Sequence, residues 1–71
     1  MAECYRLYVT WDRLGGNPRK KTDSYEFELS HPGWANAEES FDSLKSGSCV
    51  SELRLFRVDP CGMYELKRWN R

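Results

Sequence analysis

The chain is poor in the groups that usually perform chemistry. It holds one histidine, His31, and only three cysteines, Cys4, Cys49 and Cys61, dispersed over 71 residues. No C-x₂₋₄-C or H-x₃₋₅-H spacing occurs, so a metal site would have to gather three distant thiols and His31, and no metal is expected. An odd number of scattered thiols is also a poor disulfide framework. Reduced cysteines acting as small apolar side chains are the first expectation, with a Cys49–Cys61 bridge across the ends of one hairpin as the second. No apolar run reaches the roughly 18 residues of a transmembrane helix. The start, Met1-Ala2-Glu3-Cys4, lacks the basic and apolar regions of a signal peptide. The expected location is therefore cytoplasmic, without membrane contact.

Catalytic constellations are equally sparse. His31 sits in a His-Pro-Gly turn with no nucleophile motif beside it. Glu26 and Glu28 lie two apart, which puts both carboxylates on one strand face, the ordinary pattern of a solvated strand. Gly15-Gly16 is not followed by a helix, so it lacks the aligned N–H groups that hold a phosphate. The chain reads as a non-enzymatic protein that needs no cofactor. Its length suits one domain over residues 1–71, burying only about 60% of its unfolded surface, in which an enclosed substrate pocket would consume much of the core.

What is present is patterned. Tyr5, Leu7, Val9 and Trp11 alternate with Arg6, Tyr8 and Thr10, the signature of a strand with one buried face. From Leu14 to Ser24 the text is polar and contains Gly15-Gly16-Asn17-Pro18, which predicts a long basic loop. Alternation resumes at Tyr25, Phe27 and Leu29, giving a hairpin partner. After His31-Pro32-Gly33, the spacing of Trp34, Ala37, Phe41 and Leu44 is helical, and Asn36 with Glu39 makes an N-terminal capping box. The expected helix runs from about Ala37 to Ser46, stopped by Gly47. Val50 to Val58 reads as a third strand whose phase is ambiguous, because Leu53 and Leu55 point one way and Phe56 and Val58 the other. A bulge, or burial on both faces, would resolve it. The turn Asp59-Pro60-Cys61-Gly62 leads to a fourth strand from Met63 to Trp69.

The fold class expected is α+β: a four-stranded, mostly antiparallel sheet in ββαββ order with one short helix packed on one face. A right-handed crossover gives strand order 2-1-3-4. The expected core is Tyr5, Leu7, Val9, Trp11, Phe27, Leu29, Ala37, Phe41, Leu44, Leu53, Leu55 and Leu66. The uncovered face would display Arg6, Tyr8, Glu26, Glu28, Arg54, Phe56, Lys67 and Trp69.

Equal numbers of basic and acidic residues, 11 of each, conceal a segregation. Residues 1–22 sum to +3, residues 23–52 to −6 and residues 53–71 to +3. This balance excludes a uniformly basic duplex-DNA binder and leaves a dipolar surface able to steer a charged partner. Ten aromatics exceed what one thin core hides, and Tyr, Trp and Arg dominate protein interfaces. Partner contacts are therefore expected from Arg6, Tyr8, Arg13, Arg19, Lys20, Lys21, Arg68 and Arg71. Glu38, Glu39 and Asp42 on the helix form an alternative acidic surface, for a basic partner or as a phosphate mimic. A different reading is a single-stranded RNA- or DNA-binding module that stacks bases on Tyr8, Phe56 and Trp69 beside the basic loop. A third is a homodimer that hides the open sheet face.

The ββαββ order, the short acidic helix and the segment Phe56-Arg57-Val58-Asp59-Pro60-Cys61 resemble small inhibitor proteins of bacteriophages and mobile elements, of the anti-CRISPR and host RNA polymerase inhibitor types. The likeness is architectural and covers residues 25–62; the Leu14–Ser24 loop departs from the polymerase inhibitor. It implies a non-enzymatic protein in the host cytoplasm that uses charged side chains to occupy a larger protein or nucleoprotein complex. It carries no functional residue across.

Overall fold

A computed structural model describes residues 3–12, 21–47 and 49–70. Five elements follow in the order strand, strand, helix, strand, strand: β1 (Cys4–Trp11), β2 (Lys21–Glu28), α1 (His31–Lys45), β3 (Val50–Asp59) and β4 (Gly62–Asn70). The four strands form one antiparallel sheet of order β2-β1-β3-β4, with α1 on one face. The two central strands are the two with apolar alternation, and both hairpins place sequential neighbours side by side.

The core is the layer between α1 and the sheet. Leu7 and Val9 of β1 and Val50, Leu53 and Leu55 of β3 meet Ala37 and Phe41 of α1, and all seven are buried. Tyr5, Trp11, Phe27, Trp34, Leu44 and Trp69 pack around them. The ambiguity of β3 resolves through both expected devices: a register shift leaves Ser51 as an extra residue, which brings Val50 to the face of Leu53 and Leu55, and Val58 is buried on the opposite face. Leu53 and Leu55 face the helix opposite Val9 and Leu7, and Phe56 and Val58 face the other way opposite Arg6 and Cys4. Val58 and Cys4 are buried as well, so this end of the sheet is apolar on both faces.

The structure departs from the sequence reading in three places. First, α1 begins at His31, six residues before the expected start. Ser30 is the N-cap, in extended backbone, with its Oγ accepting from the Gly33 N–H at 3.1 Å. Pro32 sits in the first turn, where a missing N–H costs nothing, so Pro32-Gly33 starts a helix that it was expected to precede. Asn36 and Glu39 therefore lie inside α1. Second, β2 begins at Lys21, and residues 21–24 of the expected loop pair with residues 8–11 of β1. Third, β4 contains a bulge: Leu55 pairs with Lys67 but Phe56 pairs with Glu65, leaving Leu66 as the extra residue. Leu66 is 44% exposed rather than in the core. The bulge turns Lys67 and Trp69 to the helix face, where Trp69 packs on the core and the Lys67 ammonium lies 4.7 Å from the centre of the Phe41 ring. The first expectation for the cysteines holds and the Cys49–Cys61 alternative does not: none of the three is bridged, and Cys49 and Cys61 lie beyond opposite ends of ten-residue β3, on the order of 30 Å apart.

The turn between β3 and β4 forms as its residues suggest, with the Asp59 carboxylate accepting from the Cys61 N–H at 2.9 Å and Gly62 at φ 143°. At the other end of α1 the Gly47 N–H donates to the Leu44 carbonyl at 2.9 Å. Among the described residues, no helix is long and apolar enough to cross a membrane.

Candidate binding surface on the open sheet face

The face away from α1 carries a connected row of side chains across all four strands. Its register follows from the pairing: Glu26 (β2) stands opposite Arg6 (β1), Arg6 opposite Phe56 (β3), Tyr8 opposite Arg54 (β3), and Phe56 opposite Glu65 (β4). Cross-strand neighbours on one face lie close enough to touch. Arg6 Nη2 is 3.7 Å from Glu26 Oε1, and Arg6 Nη1 donates to Tyr8 Oη at 3.4 Å. The Tyr8 and Phe56 rings meet edge to face, with centroids 5.5 Å apart and planes at 84°. The Arg54 guanidinium lies over Phe56, 4.9 Å from the ring centre. Arg54 Nη2 and Nε then donate to Glu65 Oε2 at 2.7 and 3.1 Å. Arg68 Nε closes the row, 3.0 Å from Glu65 Oε1.

The Arg6 and Arg54 guanidiniums each have two partners, Tyr8 with Glu26 and Phe56 with Glu65, which restrains long side chains that would otherwise be mobile, while Arg68 is held by Glu65 alone. Arg54's hydrogen bonds, reinforced by the Arg68 charge, keep the Glu65 carboxyl below the usual carboxylate range. At the β2 end the Cys4 thiol donates to Glu26 Oε2 at 3.4 Å. Burial, and then the neighbouring Glu26, push this thiol above its ordinary pKa. A shallow depression of about 420 Å³ beside the row is lined by Tyr8, Thr10, Thr22, Glu52, Arg54, Phe56 and Met63. Three guanidiniums thus share the face with Glu26 and Glu65, and strand parity adds Glu28 and Glu52.

Of the residues expected to contact a partner, the structure brings Arg6, Tyr8 and Arg68 together in this row. Lys21 opens β2 at its far end, 3.9 Å from Asp23. Arg13, Arg19, Lys20 and Arg71 lie outside the described residues. The stacking trio is split, because Tyr8 and Phe56 share the open face while the bulge puts Trp69 on the other. The acidic helix residues are also divided. Glu38 reaches over to Lys67 of β4 at 3.6 Å, Asp42 pairs with Lys45 at 4.0 Å, and Glu39 borders a groove along β2. Arg54 and Glu65 join the two ends of the row and were not picked out as site residues. Arg54 was visible in phase with Phe56 on β3; Glu65 was hidden by the bulge one residue later. No family model, no curated protein and no solved structure matches this chain.

Proposed function

We propose that this chain is a non-enzymatic binding protein that engages a larger protein, alone or within a nucleoprotein complex, through the open face of its sheet, in the manner of a phage-type inhibitor such as an anti-CRISPR. The observation that supports this most is the pre-arranged row Arg6–Tyr8–Phe56–Arg54–Glu65–Arg68. Its aromatics and arginines are the residue types that carry most of the binding energy at protein interfaces, and its side chains are already held in place, which lowers the entropy lost on docking. Base stacking is the weaker reading here. Arg54 covers one face of Phe56, Trp69 is on the opposite side, and Glu26, Glu28, Glu52 and Glu65 oppose phosphates on the same surface. The basic residues Arg13, Arg19, Lys20 and Arg71 belong to the proposal as additional contacts that steer the partner.

The test is affinity capture from a lysate with and without nuclease, using the wild-type chain, an Arg54→Ala/Phe56→Ala double variant and an Arg19→Ala/Lys20→Ala/Lys21→Ala triple variant. A protein retained after nuclease, bound roughly thirtyfold more weakly by the double variant, supports the reading. A signal that disappears with nuclease would favour the nucleic-acid alternative. Unchanged capture by the double variant would remove the open face from the site, and unchanged capture by the triple variant would remove the basic segment.

A further inference from the structure

The charge segregation seen along the sequence becomes a lateral dipole in the fold. Together β2 and α1 carry six acidic groups and two basic ones, whereas β1, β3 and β4 carry five basic and three acidic. The acidic side is also the side on which the sheet of described strands ends, at β2. Among the described residues β2 pairs only with β1, through eight consecutive residues without a register shift, so its outer backbone groups form a straight, regular row. The opposite edge, β4, is interrupted by the bulge at Leu66, a device that prevents another strand from adding.

Alongside the β2 edge runs a groove of about 670 Å³ between strand and helix, lined among others by Tyr25, Phe27, Asn36, Glu39, Ser43 and Leu44. Tyr25, Phe27 and Leu44 supply its apolar lining, and Tyr25 is 44% exposed. A strand added to β2 would alternate its side chains between two environments. Those on the helix side would meet Tyr25, Phe27 and Leu44; those on the open side would lie beside Glu26 and Glu28. Among the described residues neither Glu28 nor Glu39 has an ion-pair partner.

We propose that the outer edge of β2 and the adjoining α1 groove bind an extended basic peptide of a partner protein by strand addition, with apolar side chains in the groove, Lys or Arg side chains opposite Glu28 and Glu26 on the open side, and Glu39 of the groove wall adding to the negative field. Backbone hydrogen bonds to β2 supply the affinity, and the acidic flanks select the charge. This surface shares only Glu26 with the open-face row, and the variants that test it leave Glu26 in place, so either can fail without the other.

The probe is a capped octapeptide of alternating valine and lysine, titrated into the ¹⁵N-labelled full chain and followed by amide chemical shifts. Changes along β2 and at Ser43 and Leu44, with none at Arg54 and Phe56, are expected. The Glu28→Lys/Glu39→Lys variant should bind the peptide roughly tenfold more weakly with an unchanged melting temperature. Two further octapeptides, N-methylated at the odd or at the even positions, test the backbone pairing. One should bind like the parent and the other should not bind, because only one edge of the peptide faces β2. Equal binding by both, or by neither, would overturn strand addition. Equal binding of an alternating valine–glutamate peptide would overturn the charge selection, and shifts centred on the open face would overturn the location.

Discussion

Replacing Gly33 by alanine sets two physical effects against each other with opposite signs. Gly33 lies in the first turn of α1, and a Cβ built there would stand 1.7 Å from the Glu28 carbonyl oxygen and 2.6 Å from its carbon. The gap is about 1.3 Å short of the 3.0 Å closest approach that Cβ atoms tolerate, and the obstacle is backbone rather than a yielding side chain. The first turn must therefore lift from the end of β2. Overpacking of this kind costs roughly 1–3 kcal/mol, and losing the Ser30 cap adds about 1 kcal/mol. Helix propensity alone favours alanine over glycine by about 1 kcal/mol. The expected net destabilisation is about 1–3 kcal/mol, against a total stability of about 4–10 kcal/mol for a chain of this size. Urea unfolding followed by circular dichroism should show the midpoint falling with little change in slope, and the melting temperature dropping by about 5–25 °C. A Ser30→Ala variant, which removes the cap without crowding, should lose only about 1 kcal/mol. If Gly33→Ala leaves the midpoint within about 0.5 kcal/mol of wild type, or raises it, the close approach of α1 to Glu28 is wrong.

Three other outcomes follow from the geometry. Gly62→Ala meets no crowding but must hold φ at +143°, so it should cost about 1–3 kcal/mol through strain alone, measurable in the same urea experiment. The folded-state pKa of Cys4 is raised above the ordinary thiol value of 9.0, so its contribution is complete below that pH and is lost as pH rises through the folded value. Unfolding midpoints between pH 8 and 10.5 should therefore fall more steeply for wild type than for Cys4→Ala, and equal slopes would contradict the assignment. Glu65 behaves in the reverse sense: its lowered pKa gives stability present above its ordinary value of 4.5 and lost as pH falls through the folded value. Glu65→Gln should flatten that acid-side decline, and added salt should shrink the difference because the group is exposed.

Much of this fold is legible in the sequence because the two central strands carry their burial as period-two alternation. Tyr5 to Trp11 need no tertiary knowledge, Leu53 to Val58 read as a strand whose phase only the pairing with β1 settles, and the crossover rule then orders the sheet. What escapes reading has a common cause, namely positions whose conformation is set by a neighbour. Lys21 to Ser24 have no apolar period, and become strand because β1 offers residues 8–11 to pair with. Pro32-Gly33 has the composition of a breaker, and becomes a helix start because Ser30 caps it and the absent Cβ lets Glu28 approach. The open-face row was half visible. Arg6, Tyr8, Arg54 and Phe56 lie in phase on their strands, but the junction with Glu65 depends on one inserted residue in β4, and alternation alone carries no sign of it.

That inserted residue has a consequence for how the gene can change. Leu66 occupies a position to which no β3 residue is assigned, since Leu55 already pairs with Lys67 and Phe56 with Glu65. In most strands losing one residue would reverse every side chain beyond it. Here deletion of Leu66 leaves Lys67 and Trp69 on the helix side, Glu65 and Arg68 on the other, and every β3–β4 pairing intact. The fold should therefore absorb the deletion, while the straightened edge would become able to recruit a further strand.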